Sequence, residues 1–183
     1  MARRKSGRPS KSLWSQTGPT PRLLFGAFAI AAIGLLGLTP KTLFGLSIAW
    51  PYAALWGAVG WGRVGLSLRP MLILILFGLI QDISFNAPLG CFVIVNLVVY
   101  GFSAWIASMF DVMHEPLVAV IAPVLQFISG FLVLWLMASA LEDHAVRATP
   151  LVAAFLTTGV IYAIAHKMFD LGRAPGQPVG QTT

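Results

Sequence analysis

The chain is written in apolar blocks separated by short polar breaks. A helix needs about 20 mostly apolar residues, at about 1.5 Å each, to cross the hydrocarbon of a bilayer. Cut at its breaks, the sequence divides into six such blocks. The first runs from Leu23 to about Thr39, with Pro40 and Lys41 behind it. The second covers Thr42 to Trp61, and the short link "GRVGLSLR" follows. The third begins at Pro70 with the run "MLILILF" and passes into "GLIQDISFNAPLG", residues 78–90. The fourth extends from Cys91 to Phe110 and ends in the turn "DVMHE"; the fifth spans Pro116 to Leu141 and the sixth Pro150 to about Ala165. The pattern predicts an all-α fold, a polytopic membrane domain of six transmembrane helices over residues 23–165. Residues 1–22 are expected to form a basic, disordered tail and residues 166–183 a polar C-terminal tail.

Composition agrees with that class. Hydrophobic residues make up 57% of the 183 and charged ones 10%, where soluble domains carry about a quarter. The net charge of +6 is unevenly placed. With the N-terminus inside, Arg3, Arg4, Lys5, Arg8, Lys11, Arg22, Arg63, Arg69, Lys167 and Arg173 fall on the inner side, and only Lys41 and Arg147 on the outer. That bias predicts both termini in the cytoplasm. The basic tail is read as an orientation signal that also touches anionic lipid headgroups, not as a nucleic-acid arm.

Several chemistries lack their residues. One cysteine, Cys91, forms no internal disulfide, and His114, His144 and His166 stand far apart with no HxxH pair, so no metal or other cofactor is expected. No GxxxxGK[ST] loop is present for ATP hydrolysis. An intramembrane aspartyl protease needs two neighbouring carboxylates, whereas only Asp82 lies well inside a span. "FISG", residues 127–130, lacks the first glycine of a rhomboid-type serine turn. No catalytic residue is assigned.

What remains is the polar content of the spans. Asp82 lies twelve residues beyond Pro70, about 18 Å along a straight helix, and a carboxylate near the bilayer centre costs about 2.5–3.5 kcal/mol on insertion scales. That cost falls if the helix breaks near Ser84, as Asn86, Pro88 and Gly90 favour, and if Asp82 caps or braces the turn. Gln81, Asp82, Asn96 and Gln126 are placed to form one interhelical polar network, either as glue between helices or as part of a binding surface. Pro51 and Pro123 fall at comparable depths in the second and fifth spans, as in a three-plus-three inverted repeat, and Ala27 with Ala31 makes a small-xxx-small pair.

"GLIQDISFNAPLG" resembles the signature of the rod shape-determining protein MreD family, G-L-x-x-D-x-x-x-x-x-P-L-G, through Gly78, Leu79, Asp82, Pro88, Leu89 and Gly90. Length, span number and short loops are similar too, over roughly residues 23–170. Asn86 stands where family members often have glycine, and the basic tail is longer than usual. The resemblance implies a non-enzymatic, multi-pass protein of the bacterial inner membrane that acts in cell elongation and peptidoglycan synthesis. It implies direct binding of MreC and a common complex with MreB, RodA and a class B penicillin-binding transpeptidase. It also implies a fold similar to the substrate-binding S components of energy-coupling-factor vitamin transporters. Gly78, Asp82, Asn86, Pro88, Leu89 and Gly90 are therefore the expected partner-binding or structural motif. The alternative reading is an S component itself, with Trp50, Tyr52 and Trp56 offered to a vitamin or other small molecule.

Overall fold

A computed structural model describes residues 18–37, 42–43, 46–47, 50–109, 116–141 and 148–171. These form six α-helices: α1 Pro19–Gly37, α2 Ala53–Gly62, α3 Leu68–Ser84, α4 Cys91–Met109, α5 Pro116–Leu141 and α6 Ala148–Ala165, the last running into a 3-10 turn at His166–Met168. Between α1 and α2 lies a short antiparallel ladder, β1 Thr42–Leu43 and β2 Leu46–Ser47, pairing Thr42 with Ser47 and Leu43 with Leu46. Residues 1–17 of the basic tail, the "DVMHE" turn, residues 142–147 and residues 172–183 lie outside the described residues.

Among the described residues, four stretches are long and apolar enough to cross a membrane: Pro19–Gly37, Cys91–Met109, Ile121–Ala140 and Thr149–Met168. Among the described residues the protein is all-helical apart from the four-residue ladder, and its four long apolar helices suggest a multi-pass membrane protein. Helix α3, with 17 residues, is about 25 Å long.

The second expected span is corrected. Residues 42–61 do not make one helix: α2 holds ten residues, about 15 Å, roughly half of what a bilayer core requires. Pro51 explains the late start, since it lacks an N–H and steers Trp50 away from helical dihedrals. Helix α2 is instead the central post of the bundle. All ten of its residues are buried, with Trp56 and Trp61 fully enclosed. It is fastened at its start to α6, where the Trp56 indole N–H donates to the Thr158 carbonyl (2.9 Å) and the Tyr52 N–H to Thr158 Oγ1 (3.1 Å).

Both tail boundaries also move. Helix α1 begins at Pro19 and not at Leu23, and Arg22 is buried within it. Beyond α6 the chain turns back onto the core: Phe169 is 1% exposed and lies against Trp56 and Gly60, so residues 166–171 belong to the bundle. The proline pair is not symmetric either, because Pro51 precedes α2 whereas Pro123 sits inside α5. In α1 the close approaches are made at Gly26, where a Cβ would lie 3.2 Å from the Trp61 ring, and at Gly37, where it would overlap the Trp50 ring.

The start of α1, the end of α2, the start of α3 and the end of α6 share one end of the molecule. Arg69 Nη1 donates to Thr20 Oγ1 (3.4 Å) there, and Gly26 meets both Trp61 and Phe169. Arg22, Arg63, Arg69 and Lys167 are thus gathered at that end. The Tyr100 hydroxyl clips the α2–α3 link, accepting from the Ser67 N–H (2.7 Å) and lying 3.1 Å from the Gly65 carbonyl. Asp82 and its turn lie at the other end of α3.

Candidate functional site

The turn between α3 and α4 is organised by one carboxylate. Asp82 is fully buried, and its two oxygens accept from the next helix: Oδ2 from the Gly90 N–H (2.7 Å) and Oδ1 from the Phe92 N–H (2.8 Å). The first N–H groups of a helix have no intrahelical acceptor and carry the positive end of its dipole. Asp82 therefore caps α4 across the turn, and the cost of burying its carboxyl group is offset by the two hydrogen bonds it accepts. Its own backbone carbonyl accepts from the Ala87 N–H (2.9 Å), closing the turn from the other side.

The sharp return needs unusual dihedrals at two points. Asn86 has φ 51° and Gly90 has φ 95°, a region open to glycine and, among other residues, most readily to asparagine. The asparagine at position 86 thus fits the same backbone that a glycine would. Once the chain has reversed, α4 packs so closely on α3 that a Cβ at Gly78 would lie 2.6 Å from the Val93 Cα and 2.7 Å from its nitrogen. No side chain larger than hydrogen fits there without moving a backbone.

Gln81 and Asn96 extend the polar contact, with Asn96 Nδ2 donating to Gln81 Oε1 (3.3 Å) and towards the Leu74 carbonyl (3.4 Å). Gln126 does not join them. It is buried on α5, one turn before Gly130, and Gly130 faces Val99 of α4. Because α4 and α5 run antiparallel, Gln126 lies about two helical turns along α4 from Asn96, about 10 Å. Its Oε1 has no hydrogen-bond partner among the described residues. The expected four-residue network is thus a local cap at Asp82, a Gln81–Asn96 contact and a separate glutamine.

Pro88 and Leu89 face outward. Leu89 is 77% exposed, and Ile83 and Phe85 are exposed beside it, so the turn presents an apolar face over a polar anchor. Sequence reasoning missed an aromatic cluster that backs this face. The Tyr52 ring lies 6.0 Å from Phe85, 5.5 Å from Phe92 and 5.4 Å from Phe131, and Phe131 meets Phe155 edge-on at 5.5 Å. Apart from Phe85 and Phe92, which flank the α3–α4 turn, these aromatics are separated by tens of residues, so no local spacing announces the cluster. A cavity of about 260 Å³ lies between α1, the Trp50–Ala54 segment and α3; of the three aromatics offered to a small molecule in the alternative reading, Trp50 and Tyr52 line it, whereas Trp56 is fully buried in the core.

Both Asp82 oxygens are committed to backbone amides, and no cluster of three histidine, cysteine, aspartate or glutamate side chains occurs among the described residues. The chemistry of this arrangement is that of a rigid cap.

Comparison with protein-family models, with curated proteins and with solved structures finds no match to this chain.

Proposed function

We propose that this protein is a non-enzymatic scaffold subunit of the MreD type, spanning the bacterial inner membrane six times with both termini in the cytoplasm. On this reading it serves the cell-elongation machinery that builds peptidoglycan. It binds MreC directly and stands in one complex with MreB, RodA and a class B penicillin-binding transpeptidase. The observation that supports it most is the turn itself. The signature residues have separable physical tasks: Gly78 admits α4, Asp82 caps it, Gly90 permits the reversal, and Pro88 with Leu89 forms an exposed face. A turn so firmly held, with a large aliphatic side chain at its tip, suits docking of a single-span partner helix. Gathering of Arg22, Arg63, Arg69 and Lys167 at the opposite end favours that end for the cytoplasm. Helix α3 adds a fifth pass, and the buried α2 stands as the sixth, a half-length helix enclosed by the others.

The test is a gentle-detergent pull-down of the tagged full-length protein from its native membrane, read by mass spectrometry. Recovery of MreC with RodA and its transpeptidase is expected, and Leu89→Glu should lose MreC while the protein still elutes as a folded species. Recovery of MreC undiminished by Leu89→Glu overturns the docking face. Recovery of an energy-coupling transmembrane subunit with its ATPases overturns the scaffold in favour of an S component. That second reading draws on one observation, the cavity lined by Trp50 and Tyr52.

A further inference from the structure

The cavity beside α1 asks for an occupant of its own. Its volume of about 260 Å³ far exceeds the roughly 10–15 Å³ that holds one water, and apolar cavities stay dry and take apolar guests. Its wall is mostly hydrocarbon and ring, with Ile30 and Leu35 from α1, Phe77 and Ile80 from α3, and Tyr52 and Ala54 ahead of and within α2. Gln81 and Ser84 also border it, but the Ser84 hydroxyl already donates to the Ile80 carbonyl (2.6 Å) and Gln81 Oε1 already accepts from Asn96. Polar groups are thus a small part of a wall made mainly of hydrocarbon and rings.

The mouth opens sideways. Leu35 and Ile80, which line it, are 68% and 48% exposed, and they continue the exposed apolar faces that carry Phe28 on α1 and Leu76 on α3. In a protein whose apolar helices lie in lipid, the cavity is thus continuous with the lipid-facing surface. Gly34 keeps it open, since a Cβ there would meet nothing within 4 Å. The floor is formed by Tyr52, Ala53 and Ala54 at the N-terminal end of α2.

We propose that this cavity holds a hydrocarbon chain of a membrane lipid, inserted laterally between α1 and α3 and ending against the N-terminal end of α2. The lipid fills a gap that the ten-residue α2 leaves beside the full-length α1, and it does so whichever partner the α3–α4 turn engages.

The test uses the full-length protein in phosphatidylethanolamine–phosphatidylglycerol vesicles with a trace of phospholipid bearing a mid-chain diazirine. After irradiation, labelled peptides are mapped by mass spectrometry, with the exposed α6 positions Val160 and Ile164 as the reference for ordinary surrounding lipid. Labelling over residues 30–35 and 77–85 is expected to exceed that reference at least threefold. It should fall to the reference level in Gly34→Leu and in Ala31→Leu, which fill the cavity, while α6 labelling stays unchanged. Labelling at the reference level in the wild type, meaning surrounding lipid only, overturns the proposal. So does labelling unchanged in both folded variants, and so does a water-soluble molecule that co-purifies and is displaced by Gly34→Leu.

Discussion

Helix α3 is packed in opposite ways on its two flanks. Towards α4 it offers Gly78, Asp82 and Gln81: no side chain where the backbones meet, a carboxylate for the neighbour's first amides and a carboxamide for Asn96. Towards α1 it offers Phe77, Ile80 and Ser84, and there the helices stand apart around the cavity. In lipid, apolar side chains gain little by leaving hydrocarbon for protein, so close seams come from small residues and hydrogen bonds and not from hydrophobic burial. The α3–α4 seam has both. Along its open part the α1–α3 seam brings Ala31 and Gly34 of α1 to the cavity wall with no partner on α3 to meet them, since a Cβ at Gly34 would touch nothing within 4 Å.

Substitutions that exchange these properties test the contrast, and the largest effect is expected at Gly78. Gly78→Leu places carbon atoms against the Val93 backbone, so α3 and α4 must separate. Little or no folded protein should survive size-exclusion chromatography in mild detergent; a monodisperse peak with wild-type melting behaviour would show that the seam is looser than described.

Asp82→Ala comes next. It leaves the Gly90 and Phe92 N–H groups without acceptors at a buried site, and about 1–3 kcal/mol for each unsatisfied group suggests a total loss of roughly 2–6 kcal/mol. Asp82→Asn keeps one acceptor oxygen but sets an amide donor against the other N–H, so it should fall between alanine and the wild type. Both are read as shifts in the thermal unfolding midpoint of the detergent-solubilised protein. A Tm for Asp82→Ala equal to the wild-type value would refute the cap.

Thr158→Val removes the acceptor of the Tyr52 N–H and so loosens the end of α2 that borders the open seam. The expected cost is about 1–2 kcal/mol, measured by the same unfolding assay. The loss should be clearly smaller than for Asp82→Ala, because the Trp56–Thr158 hydrogen bond runs to a backbone carbonyl and remains.

Gly34→Ala marks the quiet end of the series. Open space surrounds that position, and alanine is the better helix former by about 1 kcal/mol in water-exposed helices. The midpoint should stay level or rise slightly. A marked drop at Gly34, comparable to that at Gly78, would mean that α1 and α3 touch after all.

Much of this architecture was readable along the chain. Helices α1, α4, α5 and α6 follow from apolar length alone, because hydrocarbon forces every backbone group to be satisfied within the segment. The break after Ser84 was readable too, since Asn86, Pro88 and Gly90 are local conformational signals. Hydropathy misread residues 42–61 because it reports how apolar a segment is, not how far its helix extends. A short helix buried on every side and a full lipid-facing span can look alike.

Readable along the chain, then, were the apolar helical class, five of the helices, and the position of an acidic residue beside a turn. Each depends on residues close together along the chain. That Asp82 would cap or brace the turn was also readable; it took the folded chain to show that its partners are the Gly90 and Phe92 amides while Gln126 stands apart, that α2 is a half-length post with Phe169 folded back on it, and that one flank of α3 is closed and the other open. These depend on which faces meet after six helices have packed, and the meeting of faces is set by close-range fit between residues far apart in sequence.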